Sequence, residues 1–559
     1  MLITDEQLKA LVLKNKLVDE KGLNKILEYA KNSGVSLVDA LSENNLVSDE
    51  NLGLLIADFF KLPFIILTKT SIPPEVFRII PERIARKYKV IAFGRSKEGV
   101  KVAMSDPRNT ELLQLISKKT GERSFIYFAT ERDINNTLRI YRKDLQKTFD
   151  DLLGKETHGK FSEEAPIAKI VDLLINYAYQ DKASDIHIEP QEKTSLYRFR
   201  IDGVLHDVLT LPKDLHDRVI SRIKVLSRLR TDEHLSAQDG KMRIKLEEET
   251  LDIRVSIIPI SDGEKVVLRL LSSRSRQFSL IDLGMQPTEL DKVTKAFSRS
   301  FGMVLSTGPT GSGKSTTIYA ILKIINTRDK NITTIEDPVE YKIKGINQIQ
   351  ANPKTNLTFA AGLRSVLRQD PNVIFVGEIR DVETAGIAVN AALTGHLVLS
   401  TLHTNDAATA LPRLTDMKVE PFLVASTVNI IIAQRLIRKI CDMCRSSVDI
   451  TQTDLLKNLP PEMIKKHFGT KKDLVIYRGN GCKVCHFTGY SGRVGLFEVL
   501  EVTNQIRALI TEKANSDVIA KQAIAEGMNT MLDDGLIKVI KGITSIEEVL
   551  RATKVESVT

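Results

Sequence analysis

The sequence predicts a multidomain α/β protein with a nucleotide-binding domain near its centre. Residues 301–317, FGMVLSTGPTGSGKSTT, combine a short apolar strand, a glycine-rich loop and the start of a helix. Two further apolar strands are followed by acidic residues, which are Glu336 and Asp337 in NITTIEDPVEY (331–341) and Glu378 in NVIFVGEIRD (372–381). With 559 residues the chain is too long for one hydrophobic core, so we expect three or four domains.

The glycine-rich loop fits the phosphate-binding pattern G-x-x-x-x-G-K-[ST]. Its glycines let the backbone turn tightly, so that backbone N–H groups and the N-terminus of the following helix face an anion. Lys314 is then expected to contact the β- and γ-phosphates, and Ser315 to be a ligand of Mg²⁺. The alternative is a glycine-rich turn that binds nothing. The predicted nucleotide-binding residues are Gly308, Pro309, Thr310, Gly311, Ser312, Gly313, Lys314, Ser315 and Thr316.

An NTPase also needs carboxylates near the phosphates, to hold Mg²⁺ and to orient the attacking water. One predicted strand ends in Glu336 and Asp337, and a second ends in Glu378. Ligands of open α/β sheets bind at the carboxyl ends of parallel strands, where these acids are expected. Either acid alone is equally typical of a charge that caps a strand. The presence of both behind the phosphate-binding loop favours catalysis.

Basic side chains provide further candidates. His396 and His403 flank the apolar run LVLSTL and are candidates for sensing the γ-phosphate, although a lone histidine is usually structural. Arg254 and Arg269 lie 15 residues apart on two predicted strands of the preceding module. An arginine from a neighbouring domain or subunit can stabilise charge in phosphoryl transfer. From the pattern alone, two solvated arginines are the simpler interpretation.

All four cysteines occur in two C-x-x-C pairs, Cys441/Cys444 and Cys482/Cys485. This pairing suits four thiolates around a structural Zn²⁺ ion. The pairs are separated by 37 residues, so the intervening chain must form a small subdomain. A redox-active pair is the alternative, whereas disulfides are disfavoured in the cytosol.

Composition favours a cytosolic protein. Hydrophobic residues make up 42% and charged residues 27% of the chain, as in soluble globular proteins. No apolar run approaches the roughly 18 residues of a membrane span, and Asp5, Glu6 and Lys9 argue against a signal peptide. The net charge is 80 − 71 = +9, which is typical of an ordinary surface with a slight basic excess and also suits an anionic membrane surface, so charge alone does not decide. Tryptophan is absent, and no Lys/Arg block is interleaved with aromatic residues, so no nucleic-acid partner is expected.

Together these motifs resemble the secretion ATPase superfamily. The resemblance rests on GPTGSGKST, ITTIEDPVEY, LRQDPNVIFVGEIRD, GHLVLSTLHTNDA and the two cysteine pairs. SDIHIEP and YRFRIDG are similar to that family's second N-terminal domain. The resemblance covers about residues 73–559 and points most closely to type IV pilus assembly (extension) ATPases and their type II secretion relatives. Retraction-type relatives lack the tetra-cysteine insert and the long N-terminal region, which favours assembly.

The resemblance implies a domain order. It comprises an N-terminal regulatory domain of helical and α/β character (1–145, with a degenerate cyclic di-GMP-type motif at 1–65), a linker (146–165), a PAS-like α/β lobe (166–275), a RecA-like ATPase core (280–440), a tetra-cysteine zinc subdomain (441–490) and a C-terminal helical region (491–559).

The resemblance also implies a mechanism and partners. A homohexamer at the cytoplasmic face of the inner membrane of a bacterium hydrolyses ATP with Mg²⁺ and moves a platform protein that inserts pilin subunits. Other cytoplasmic pilus-assembly proteins are further candidate partners. By resemblance, Glu378 orients water and Glu336 supports it through Mg²⁺. The remaining matches are the arginine fingers, Arg254 and Arg269, and the histidine box, His396 and His403.

Residues 1–65 resemble a paired-motif domain that binds cyclic di-GMP in some members, but they depart from its pattern. The expected Arg-Leu-Gly starts are absent, and Lys16 and Asn45 replace the glycine before each Leu-Val. Phosphate contacts are thereby lost, so cyclic di-GMP is a doubtful ligand. A weak repeat, LVDEKGLNKIL (17–27) against LVSDENLGLLI (46–56), predicts duplicated helix pairs, unless two amphipathic helices coincide by chance.

Other functions stay open at this point. The sequence does not separate pilus assembly from type II secretion or DNA uptake. An alternative of a different class is a nucleic-acid-translocating ATPase, which DNA should stimulate in a salt-sensitive way. A scaffold that does not hydrolyse ATP is opposed by the intact Lys314 and Glu378.

Overall fold

The computed structural model describes residues 3–553, apart from 16–17, 19, 21–22, 24–25, 28–29, 31–36, 44–46, 48, 71, 97, 142–147, 150–166, 247–248, 273–278 and 470–472. The chain divides into two compact units, Met1–Phe60 with Phe278–Thr559, and Lys61–Gln277. The predicted multidomain α/β fold is confirmed. Among the helices so described, none is both long and apolar enough to cross a bilayer.

The described residues among the first 60 are mostly helical and have a small hydrophobic core of their own. Their described helices are α1 (Asp5–Lys14), α2 (Leu37–Glu43) and α3 (Asp49–Phe59). Leu8 and Val12, which are one helical turn apart, are buried on one face of α1. Lys16, Asn45 and most of the predicted repeat at 17–27 lie outside the described residues.

The second unit begins with a small α/β module. Its elements are α4 (Pro74–Phe77), α5 (Glu82–Tyr88), β1 (Val90–Ser96), β2 (Gly99–Met104), α6 (Thr110–Thr120), β3 (Ser124–Phe128) and α7 (Glu131–Thr137). Strand β2 is central, since it pairs antiparallel with β1 and parallel with β3. Most of the predicted linker at 146–165 lies outside the described residues, although Phe149 is fully buried in the core of the module that follows.

That following module is a six-stranded antiparallel sheet with two helices. Its elements are α8 (Ile167–Gln180), β4 (Asp185–Pro190), β5 (Thr194–Ile201), β6 (Val204–Pro212), α9 (His216–Leu226), β7 (Gln238–Lys245), β8 (Thr250–Ile260) and β9 (Gly263–Leu271). The strand order is β6-β5-β4-β9-β8-β7. Apolar residues alternate along the strands and pack with the helices into one core, so the polar alternate residues lie on the opposite face.

The first unit continues with a mostly parallel sheet. Its strands are β10 (Gly302–Thr307), β11 (Ile332–Glu336), β12 (Asn347–Gln350), β13 (Val373–Val376), β14 (Leu397–Leu402), β15 (Val428–Ile440) and β18 (Tyr490–Glu501). They lie in the order β12-β11-β13-β14-β10-β15-β18, and β18 alone among them runs antiparallel to its neighbour. Apart from Tyr490, the seventh strand therefore comes from residues that the predicted domain boundaries assign to the C-terminal helical region.

Helices cover both faces of this sheet. They are α10 (Pro287–Phe297), α11 (Lys314–Ile325), α12 (Phe359–Val366), α13 (Val382–Leu393), α14 (Ala410–Asp416) and α15 (Pro421–Thr427). Met303 and Leu305 join the core on one face, while Val304 between them joins the core on the other. A strand that is buried on both faces has a continuous apolar sequence, and this pattern predicted β10.

The cysteine pairs lie in an excursion between β15 and β18. This insert contains β16 (Arg445–Thr451), α16 (Gln452–Leu456), α17 (Pro461–Phe468) and β17 (Asp473–Gly479). The chain then ends in α18 (Asn504–Thr511), α19 (Ser516–Ala525), α20 (Met531–Ile540) and α21 (Ile546–Thr553). Strands β15 and β18 pair from Ile430 to Ile440 of β15. The first and last residues of the insert therefore lie close together, at the Ile440 end of this strand pair.

Candidate functional site

The phosphate-binding loop joins β10 to α11. Three of its residues have positive φ angles, Gly308 at 147°, Gly311 at 78° and Gly313 at 93°. A Cβ atom on Gly308 would lie 2.4 Å from the carbonyl oxygen of Gln434, and one on Gly313 would lie 2.8 Å from Gln434 Nε2. The loop therefore needs glycine for its backbone conformation and for its close approach to β15.

Lys314 folds over this loop and is 8% exposed. Its Nζ atom donates to the carbonyl oxygen of Gly308 at 2.8 Å and to that of Pro309 at 3.0 Å. Burial lowers the pKa of Lys314, and the negative charge of Glu378 opposes that change. The cation of the loop and the carboxylate of Glu378 are therefore electrostatic neighbours.

Glu336 ends β11 and is 4% exposed. Thr334 Oγ1 donates to its Oε1 at 2.6 Å, Gln348 Nε2 donates to the same oxygen at 3.2 Å, and the Tyr319 hydroxyl donates to Oε2. Burial raises the pKa of Glu336, although the hydrogen bonds from Thr334 and Tyr319 act in the opposite direction. Both oxygens of this carboxylate are thus engaged within the protein.

Glu378 follows β13, and its side chain is 13% exposed. His403, directly after β14, lies with Nε2 3.0 Å from Glu378 Oε2, and Arg380 forms an ion pair with Oε1. The next residue, Thr404, links this end of β14 to the end of β10, because its N–H donates to Thr307 Oγ1 at 3.0 Å. The structure therefore brings Glu378 and His403 together at the carboxyl end of the sheet, beside the loop.

His396 lies at the other end of the same strand. Its Nδ1 atom is 3.0 Å from the carbonyl oxygen of Ala391, and its own carbonyl oxygen accepts from Gly302 N at 3.1 Å. Gly302 begins β10, whereas the loop follows the end of β10. The structure does not bring His396 to the phosphate-binding loop of its own chain, because the length of β14 separates it from His403.

Arg254 and Arg269 are directly opposed on β8 and β9, on the polar face of the antiparallel sheet. Arg269 is 61% exposed, and its Nε atom donates to Asp185 Oδ1 at 2.9 Å. Arg200 Nε lies 3.6 Å from the other oxygen of Asp185. With Lys241 opposite Arg254, these side chains form a cationic row across the sheet, beside a cavity of about 460 Å³.

Sequence reasoning missed two polar residues that support the loop and the acids. Gln434 on β15 contacts Ser312 and Thr317, and Tyr319 on α11 contacts Glu336. The signal was present in both cases as a polar or hydroxyl-bearing residue within an otherwise apolar run, IIIAQRLI for the strand and IYAILKII for the helix. The partner of each could not be inferred, because it depends on the order of the strands in the sheet.

The four cysteines converge, as their spacing predicts. Among the residues that the structure describes, this is the group of His, Cys, Asp or Glu side chains able to surround a metal, with all four sulfur atoms within 4.8 Å of one another. The Cys441–Cys482 and Cys444–Cys485 sulfur pairs are 3.9 Å apart, and Cys482–Cys485 is 3.7 Å. Tetrahedral zinc with Zn–S bonds of about 2.3 Å requires sulfur atoms roughly 3.8 Å apart. The donor set and its spacing therefore fit Zn²⁺.

Backbone groups support the cysteine cluster. Cys482 N–H and Gly489 N–H donate to Cys485 Sγ at 3.1 and 3.3 Å, which stabilises a thiolate at that position. The hydrogen bond from Cys441 lowers the pKa of Cys485 to about 4. A Cβ atom on Gly489 would lie 2.5 Å from the carbonyl oxygen of Gly479, so the two chain segments can approach this closely only with glycine there.

Family models match most of the chain. The model described as type II/IV secretion system protein matches residues 160–551, and the MshEN domain model matches residues 60–146. The second match thus falls on the small α/β module rather than on the first 59 residues.

Individual relatives agree with the family models. The chain is 37% identical to the type IV pilus assembly ATPase PilB of Myxococcus xanthus, over 98% of this chain and 99% of that protein. It is 38% identical to PilB of Pseudomonas aeruginosa, over 96% of this chain and 97% of that protein. It is 45% identical to the type II secretion system ATPase E of Vibrio cholerae, over 72% of this chain and 78% of that protein.

A solved structure supports the fold independently. The ATPase DotB of Legionella pneumophila superposes with a TM-score of 0.51 at 22% identity, over 68% of this chain and 94% of that chain. The family match over 160–551, together with relatives that align along nearly the whole length, is decisive. The chain belongs to the type II/IV secretion system protein family, and it is an ATPase of that family.

Proposed function

We propose that this motor ATPase works as a homohexamer at the inner membrane and powers type IV pilus assembly through a platform protein. The observation that carries the proposal is the extent of the similarity. The pilus assembly ATPases align with 96–98% of this chain, whereas the type II secretion proteins align with 72–93% of it. The greater extent of alignment with the pilus assembly ATPases supports the process in which those relatives are named.

The loop and its neighbours supply the nucleotide site in this proposal. The backbone N–H groups of residues 308–316, apart from Pro309, which has none, and the Lys314 ammonium bind the phosphates, and Ser315 binds Mg²⁺. The positive φ angles of the loop glycines and the burial of Lys314 support these roles. Mg²⁺ neutralises charge on the β- and γ-phosphates when it is bound.

Glu378 is proposed as the acid that orients the attacking water. It is more exposed than Glu336 and lies within electrostatic range of Lys314. Glu336 has both oxygens engaged by Tyr319, Thr334 and Gln348, so it is not free to hold the attacking water, and it is proposed instead to support Mg²⁺. His403 is proposed to orient Glu378, because its ring nitrogen lies 3.0 Å from the carboxylate.

Arg254 and Arg269 are proposed to complete the site in the assembled ring. They lie in a different unit from the loop, and an arginine supplied by a neighbouring domain or subunit can stabilise the charge that develops in phosphoryl transfer. Loss of the γ-phosphate would then break the contact with these arginines and let the lobe that carries them move, so that hydrolysis drives a displacement of that lobe. The cationic row on an exposed sheet face supports this role.

The cysteine cluster is proposed to hold one structural Zn²⁺ per chain. Four thiolates leave no open coordination position, so the metal stabilises the insert and takes no part in hydrolysis. Elemental analysis of the purified protein should give one zinc per chain, and a Cys441→Ser variant should lose both the metal and stability in the insert. A metal-free protein with four reduced thiols and an unchanged fold would remove this site. Cyclic di-GMP is not proposed as a ligand, because the N-terminal pattern departs at Lys16 and Asn45.

The proposal is tested by the partner that stimulates turnover. ATP hydrolysis by the full chain should rise with the cytoplasmic part of a type IV pilus platform protein, and DNA should leave it unchanged. Stimulation by DNA that weakens steeply with salt, without stimulation by the platform protein, would instead indicate a nucleic-acid motor. A mutated platform protein that no longer binds the chain serves as the matched control.

Type II secretion is the second candidate, because identity to the Vibrio cholerae secretion ATPase reaches 45% over 407 residues. The same assay with the platform protein of a type II secretion system or of a DNA-uptake pseudopilus separates these candidates. The platform that stimulates hydrolysis most identifies the process.

A further inference from the structure

A single buried side chain links the phosphate-binding loop to β15. Gln434 is 2% exposed and lies one residue beyond Ala433, which is in register with the last residue of β10. Its Nε2 atom donates to the carbonyl oxygen of Ser312 at 2.7 Å. Its Oε1 atom accepts from the Thr317 hydroxyl at 2.7 Å.

The two hydrogen bonds fix the orientation of the amide. The carbonyl oxygen of Ser312 can only accept, so the nitrogen of the Gln434 amide must face it. The Thr317 hydroxyl then donates to the amide oxygen. One side chain therefore connects the loop, the first turn of α11 and β15, with both ends of its amide satisfied in a buried place.

The bond to Ser312 determines where the next backbone N–H points. In a trans peptide the C=O and N–H bonds point in opposite directions. Since the Ser312 carbonyl is turned toward β15, the N–H of Gly313 is turned away from β15, toward the open side of the loop where the phosphates bind.

The same contact explains why two loop positions are glycine. A Cβ atom on Gly313 would lie 2.8 Å from Gln434 Nε2, and one on Gly308 would lie 2.4 Å from the Gln434 carbonyl oxygen. Part of the glycine requirement therefore comes from β15 beneath the loop and not from the nucleotide above it.

We propose that Gln434 is a positioning residue for phosphate binding, which holds the Ser312 carbonyl against β15 and so presents the Gly313 N–H to the phosphates. This inference rests on the proposed nucleotide site at residues 308–316. Gln434 acts through the loop backbone and does not itself touch the nucleotide.

Two substitutions separate the halves of the contact. Gln434→Met keeps the length of the side chain and removes both hydrogen bonds, whereas Thr317→Val removes only the bond from the hydroxyl. The full-length protein is titrated with a fluorescent ADP, and inorganic pyrophosphate is used as a competitor that lacks the nucleoside. Thermal unfolding of each variant is recorded in parallel.

Gln434→Met should weaken the binding of ADP and of pyrophosphate by the same factor of about ten or more, as expected when a buried carbonyl loses its hydrogen-bond donor. Thr317→Val should leave both affinities within about threefold of wild type, even if its melting temperature falls as far as that of Gln434→Met. A common loss for both ligands places the defect at the phosphates.

Wild-type affinity in Gln434→Met would overturn the proposal. Equal losses in Gln434→Met and Thr317→Val would overturn it too, because general packing would then suffice. If the Met variant does not fold, Gln434→Leu is measured under the same criteria. A wild-type protein that binds neither ligand would contradict the proposed nucleotide site itself, which distinguishes that failure from failure of the Gln434 inference.

Discussion

The two ends of the central parallel sheet carry similar side chains but differ in what surrounds them. At the carboxyl end, the phosphate-binding loop follows β10, Glu378 follows β13, and His403 follows β14 and contacts Glu378 at 3.0 Å. At the amino end, His396 precedes β14 and contacts the carbonyl oxygen of Ala391 at 3.0 Å. The carboxyl end therefore contains several groups that can act on a phosphate, whereas at the amino end His396 only stabilises the turn before β14.

The difference teaches that strand direction decides which member of a sequence motif lies at the same end of the sheet as the phosphate-binding loop. His396 and His403 belong to one short segment and looked equivalent from the sequence. Seven steps along a strand at about 3.3 Å each place their backbones roughly 23 Å apart. In parallel strands all carboxyl ends meet at one edge, so only the residue that follows the strand joins the other candidates.

The largest expected effect comes from the carboxyl end. Glu378→Gln should abolish turnover while ATP still binds, because the substitution keeps the shape of the side chain but removes the charge that orients water. Nucleotide affinity and hydrolysis are measured on the same preparation. Lys314→Ala should instead weaken nucleotide binding.

Glu383→Gln is the matched control for Glu378→Gln. Glu383 is 60% exposed, pairs with Arg364, and lies five residues further along the chain, so its loss should leave turnover unchanged. Normal hydrolysis in Glu378→Gln would transfer the catalytic role to Glu336 and weaken the contrast between the sheet ends.

The next largest effect tests whether the carboxyl end is sufficient by itself. Arg269→Ala should leave ATP affinity within a few fold and reduce kcat by about 10³, the magnitude of a lost arginine finger. Arg243→Ala is the control, since Arg243 lies on the same sheet, is 70% exposed and pairs with Asp252. An unchanged kcat in Arg269→Ala would make this arginine a solvated surface residue.

Mixing variants shows which chain supplies the arginine. If Arg269 acts on a neighbouring subunit, rings that combine Arg269→Ala with Glu378→Gln should regain partial activity, because some interfaces contain both intact residues. If Arg269 acts within its own chain, mixing should restore nothing.

The sequence predicts those parts of the site whose chemistry is local. The loop at 308–316, the acids at strand ends and the paired cysteines each follow from a short pattern with a physical mechanism, and the structure places them as expected in the fold. Gln434 and Tyr319 were missed because their partners are set by tertiary contacts. The strand β18 was missed because β15 finds its partner only after an excursion of 49 residues, from 441 to 489.

The smallest expected effects compare the two histidines directly. His403→Asn should lower kcat by about 10- to 100-fold, since a hydrogen bond to a charged group contributes roughly 1.5–3 kcal/mol. His396→Asn should leave kcat within about twofold and cost about 1 kcal/mol of stability, because it removes one bond to a backbone carbonyl. Steady-state hydrolysis and thermal unfolding are measured for both.

Each histidine variant is the control for the other, because the two residues share a strand and differ in the end they occupy. A large loss of kcat in His396→Asn, with hexamer assembly and melting temperature unchanged, would contradict the contrast between the two ends of the sheet. It would mean that the amino edge of one subunit completes the site of another, and that the sequence motif acts across the interface. Equal, small effects in both variants would show that Glu378 keeps its orientation through Arg380 and needs no histidine.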